Sequence, residues 1–149
     1  MGTVKPNTTS IEQLNSFLRG ELSAVETYRM ALDKLDKASF ARMQLQSCMS
    51  SHQQRVDILK GKIMELGGTP ADGSGAWGVF AQAVQGVSDV LGDKVAISAL
   101  ETGEDHGLAD YRQDMSKLEG DARQLIISQL LPKQEETHRT MSSLKKQLQ

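Results

Sequence analysis

The sequence predicts an all-α protein built as a four-helix bundle, on three observations. Apolar residues recur at spacings of three and four along most of the chain, the period of a helix with one buried face and not the period of two that a half-buried strand shows. Runs of β-branched residues are missing and aromatic residues make up only 4%, so little favours strands. The length, 149 residues, suits one domain that buries a core without disulfides or structural zinc. A single domain over residues 1–149 is therefore expected.

The elements follow in order. A first helix should open at Thr9 or Ser10, where Thr9 with Glu12, or Ser10 with Gln13, has capping-box spacing. Residues 1–9 are then a tail. The helix runs to about Asp36 with an inward stripe of Ile11, Leu14, Leu18, Glu21, Val25, Tyr28, Leu32 and Leu35. Ser39 is the expected N-cap of a second helix, whose inward face is Leu45, Cys48, His52, Val56, Leu59, Ile63 and Leu66. Gly67 and Gly68, followed by Pro70, should end it. Residues 67–92 form a long crossover: a loop rich in Gly, Pro and Asp, then a short apolar helix from Trp77 to Leu91. Its Trp77, Val79, Phe80 and Val84 either cover the bundle or make a homodimer contact. Asp93 caps a third helix with stripe Ile97, Glu101, Glu104, Leu108, Tyr111, Met115 and Leu118. Asp121 with Gln124 opens the fourth, its inward face read as Leu131, Glu135, His138, Met141 and Leu148. Pro132 should kink it, because proline lacks an N–H and crowds the preceding turn.

Charge and composition remove several function classes. Seventeen Lys and Arg against 19 Asp and Glu give a net charge of -2, which offers no basic footprint for nucleic acid. No stretch approaches the roughly 18 apolar residues of a membrane span, and the first ten residues hold no signal-peptide core. A cytoplasmic location is expected. Cys48 is the only cysteine, so neither an internal disulfide nor a cysteine-based zinc site is available.

The polar residues on the inward stripes repeat. At an offset of 83, Gly20, Glu21, Tyr28, Arg29, Lys34 and Leu35 fall on Gly103, Glu104, Tyr111, Arg112, Lys117 and Leu118. An offset of 86 places His52 on His138 and Met49 on Glu135. The two halves thus read as related helical hairpins, each with a carboxylate on one helix and a histidine on the next. Tyr28 and Tyr111 lie two turns, about 10 Å, from the glutamates of their own helices, so any hydroxyl contact they make with a glutamate must cross the bundle.

Two hairpins with this content resemble the ferritin-like carboxylate bundles, and the segment ELSAVETY, Glu21 to Tyr28, looks like the first-helix motif of their rubrerythrin-type branch. LNSFLRGELSAVETYRMAL and GEDHGLADYR are similar to an uncharacterised bacterial ferritin-like domain family. In the di-metal members, one helix of each hairpin supplies a Glu and the other a Glu-x-x-His pair on one face. The resemblance implies that Glu21 and Glu104 are the single carboxylates, that Glu135 with His138 is one Glu-x-x-His pair, and that His52 is the other histidine. Met49 stands where its glutamate would be, and a thioether suits hard Fe(II) or Mn(II) poorly.

Two functions follow as expectations. In the first, Glu21, His52, Glu104, Glu135 and His138 form a degenerate cluster that binds one divalent metal, Fe or Mn, or binds metal weakly, with an iron- or stress-related role. In the second, the bundle is a metal-free structural or interaction protein and the cluster is an internal hydrogen-bond network. Position 49 carries the weight of the choice.

Overall fold

The computed structural model describes residues 6–73 and 92–148, so the expected short helix at 77–91 lies outside the described residues. Within them the secondary structure is helical, with no strand: α1 (Pro6–Lys34), α2 (Arg42–Glu65), α3 (Gly92–Asp114) with a 3₁₀ turn at Met115–Lys117, then α4 (Gly120–Leu125), a π-helical turn (Ile126–Leu130) and α5 (Leu131–Gln147). The last three segments join with helical backbone angles at Leu125 and Leu131 and form the fourth rod of the bundle. α1 packs along α2 and α3 along α5, and the two hairpins meet through α1 against α3 and α2 against α5.

Local chemistry explains most boundaries, with some shifts from expectation. α1 begins at Pro6, ahead of the expected Thr9 or Ser10; a proline is tolerated there because the first N–H groups of a helix have no partner in any case. At its far end Arg42 donates to the carbonyls of Leu32 (2.9 Å) and Leu35 (3.4 Å), tying a cation to the negative end of the helix dipole. Ser39 does not cap α2 itself. Its hydroxyl accepts from the Ala41 N–H in the turn before it, and Ala41 is the residue at the cap. α2 ends as expected: Gly67 takes φ +87°, its N–H reaches Met64 O, and the Gly68 N–H reaches Ile63 O at 2.9 Å. That pair of bonds is a Schellman ending, which calls for a residue at positive φ. Asn15 then pins the start of the crossover to α1, donating to Thr69 O and accepting from the Ala71 N–H.

The fourth rod departs further. The Asp121–Gln124 capping box does not form, and Glu119 stands at the cap without a side-chain bond. The irregularity foreseen at Pro132 is a π-helical turn immediately before it, closed by Leu131 N–H to Ile126 O. Its inward residues are Ile126, Leu130, Gln134, Thr137, Met141 and Leu144. Glu135 and His138 are not among them, which corrects the expected register by one residue.

The core is in two parts. One apolar cluster gathers Leu32, Leu35, Leu45, Cys48, Ile97, Leu100 and Leu144 around Tyr28. The other gathers Leu14, Leu18, Leu59, Ile63, Leu118, Ile126 and Leu130 around Tyr111. Met49 is packed against both. Between the clusters lies a buried polar layer.

Candidate functional site

Six buried polar side chains from the four rods form that layer: Glu21 of α1, His52 and Arg55 of α2, Glu104 of α3, and Gln134 and Thr137 of α5. The inward spacing of each helix puts them at one level, and Arg55, 0% exposed, fills the centre. Its guanidinium donates through Nη1 to Glu21 Oε2 (3.3 Å) and to the Gln134 side-chain oxygen, and through Nη2 to Ser51 Oγ (3.1 Å) and Thr137 Oγ1 (2.9 Å).

Both ring nitrogens of His52 face carboxylates. Nδ1 lies 2.5 Å from Glu21 Oε1 and Nε2 lies 2.7 Å from Glu104 Oε2. The tyrosines cross between hairpins: Tyr28 donates to Glu104 Oε2 and Tyr111 to Glu21 Oε2, each at 2.5 Å. Glu104 Oε1 accepts from Gln134 Nε2 (2.8 Å) and Thr137 Oγ1 (2.7 Å). Every oxygen of both glutamates is thus partnered. Among the described residues the buried side-chain polar atoms without a partner are Gln13 Nε2, Ser23 Oγ and Gln44 Oε1, none of them in the layer.

The charges balance. Burial alone would push the Glu21 carboxyl up, but Arg55 and His52 outweigh it and hold it below the ordinary 4.5. Burial also opposes ionised Glu104, yet His52, Arg55 and Tyr28 bring it below the same value. For His52, burial and Arg55 favour the neutral ring while Glu104 and Glu21 favour the cation, and the carboxylates prevail, so its pKa lies above the ordinary 6.5. Arg55 stays protonated. With both ring nitrogens of His52 against carboxylates, its protonated form donates to both, and in that form two carboxylates face one imidazolium and one guanidinium with no net charge left to compensate.

Three of the five residues singled out in the sequence, Glu21, His52 and Glu104, are brought together here. The other two are elsewhere. Glu135 is 37% exposed and pairs with Arg112, while His138 is 24% exposed and contacts Asp105 on the outer side of α3. The inward residues of α2 and of the fourth rod correspond at an offset of 85, as Leu45 with Leu130, His52 with Thr137 and Leu59 with Leu144, rather than 86. Met49-x-x-His52 is therefore matched by Gln134-x-x-Thr137.

Sequence reasoning missed Arg55, Gln134 and Thr137. Arg55 sits three residues after His52 on the same helix face, and two inward glutamates require buried cations, so counting charges on the stripes was the available signal. A cavity of about 20 Å³ borders Glu21, His52, Tyr111 and Gln134 between Gly20 and Gly107, enough for one water molecule. Gly107 is needed for Gln134 to enter the layer, since a β-carbon there would lie 2.8 Å from its Nε2.

Comparison with known proteins agrees with this architecture. A family model described as Domain of unknown function (DUF2383) matches residues 9–117. The fold is similar to that of a crystal structure titled ferritin like, diiron-carboxylate proteins from Bacillus anthracis str. Ames, with a TM-score of 0.64 and 21% identity over 98% of this chain and 96% of that one. No curated protein matches the sequence. Among the described residues no helix is long and apolar enough to cross a membrane.

Proposed function

The chain belongs to the DUF2383 family, its fold is a ferritin-like helical bundle, and from that premise we propose that it is a metal-independent structural or interaction bundle whose centre is an ion quartet made from its own side chains. The observation that carries this reading is Arg55. In the pattern that the ferritin-like resemblance implies, four carboxylates offset two divalent ions. Here the buried layer holds two carboxylates, and Arg55 with protonated His52 supplies the opposite charge. Met49, Gln134 and Thr137 occupy three of the six ligand positions. An imidazole bonded at both nitrogens to carboxylates has no lone pair to offer a metal, and a guanidinium at the centre repels one. The buried residues do not fit a pair of irons, and a single Fe or Mn ion at Glu21, His52 and Glu104 would have to displace Arg55 and a proton.

The test is the chain purified without affinity tag or chelator, then treated with EDTA, with Fe(II) and Mn(II) added back separately. The expected result is a thermal midpoint that EDTA leaves unchanged. Two tightly held Fe(II) per chain that raise the midpoint, persisting when His138 is replaced by Ala, would overturn the reading, because an ion bound to the folded state alone must stabilise it.

A further inference from the structure

We propose that Glu101, Asp105 and His138 form a surface site for one divalent transition-metal cation. Glu101 and Asp105 are one turn apart on α3, and His138 faces them from α5; one ligand atom from each lies within 4.8 Å of the others. Asp105 Oδ1 and His138 Nε2 are already in contact. Around a tetrahedral ion with bonds of about 2.0–2.2 Å the donors stand roughly 3.3–3.6 Å apart. Closing from 4.8 Å needs only rotation of side chains that are half-buried or exposed, with no movement of the helices.

Three features favour a cation here over an ordinary surface ion pair. The donors are two hard carboxylates and one imidazole, a set that suits Zn(II), Co(II) and their neighbours, with water completing the shell. They come from two helices packed against each other, so their backbones are fixed before binding. The Ser142 hydroxyl donates to Glu101 Oε2 at 3.1 Å, orienting that carboxylate from outside as supporting residues do in metal sites. Lys145 Nζ stands 3.4 Å from Glu101 Oε1 and is the cation already present. It would compete with the metal.

The tag-free full chain, stripped with EDTA and dialysed, is titrated with Zn(II) by calorimetry and with Co(II) by visible absorption. One equivalent per chain is expected. His138→Ala and Asp105→Asn should each weaken binding about tenfold or more. Lys145→Met should strengthen it, and Glu135→Gln, an exposed carboxylate beside the site, should leave it unchanged. All four positions lie outside the buried layer, so the variants are expected to fold. Absence of Zn(II) binding, or binding equal in the parent, His138→Ala and Asp105→Asn, overturns the site. In the first case the metal-independent reading of the centre stands. In the second, a bound ion that also raises the thermal midpoint points to the buried layer and counts against both.

Discussion

Arg55 decides the charge of the centre, and its loss is the most direct probe of it. Replacing it by Met would leave two buried carboxylates facing one imidazolium, and removing one partner of a buried ion pair costs about 3–5 kcal/mol. Urea unfolding of Arg55→Met should show a loss of that order, and adding Glu21→Gln should recover part of it, since the two residues share one network. A double variant whose losses simply add would show that they do not interact. The centre also predicts a pH profile. His52, with its pKa raised above 6.5 in the folded state, contributes fully below that value and loses its contribution as pH rises through the raised one. Glu21 and Glu104, lowered from 4.5, contribute above that value and lose it as pH falls through their folded values. Stability should therefore peak between the two ranges. In His52→Gln the alkaline decline should flatten and the acid decline should shrink without vanishing, because Arg55 still holds Glu21 down, read as urea midpoints from about pH 2 to 9, below the range of lysine titration.

Two glycines, one on α2 and one on α3, should respond oppositely to alanine. Gly61 is exposed in α2 with nothing within 4 Å of an added β-carbon, so Gly61→Ala should stabilise by about 0.5–1 kcal/mol through helix propensity alone. A β-carbon on Gly107 meets Gln134, whose amide is held by Glu104 and Arg55 and cannot simply swing away. Gly107→Ala should cost about 1–3 kcal/mol, the usual range for overpacking, measured by denaturant midpoint. The fourth rod shows how much of an element's register is written in spacing. Ala122, Ile126, Leu130 and Gln134 are each four apart, which overshoots three turns of 3.6 by about one residue, and the π turn takes up that excess. A stripe that starts from Leu131 instead gives Glu135 and His138 the inward positions. The apolar residues before Pro132 carry the correct phase, and the Glu-x-x-His spacing of Glu135 and His138 does not share it.

Across the molecule, the tyrosines join the hairpins. Tyr28 and Tyr111 each donate to the glutamate of the opposite hairpin, and a hydrogen bond to a charged group contributes about 1.5–3 kcal/mol. Tyr28→Phe and Tyr111→Phe should each destabilise by about that amount in chemical denaturation, with helix content unchanged by circular dichroism; losses well under 1 kcal/mol would mean the crossed bonds do not hold the halves together. Helical period, the glycines ending α2 and the inward placement of Glu21, His52, Glu104 and both tyrosines were determined by the sequence, because each depends on contacts within a few turns of one helix. Which polar residues meet was decided only by the tertiary structure. Arg55 reads as a surface residue until two other helices, α1 and α5, bring Glu21, Gln134 and Thr137 around it, and His138 reads as a core ligand until one extra residue in the π turn sets α5 to face Asp105 with it. Burial gives a charged side chain its meaning, and burial belongs to the packed assembly.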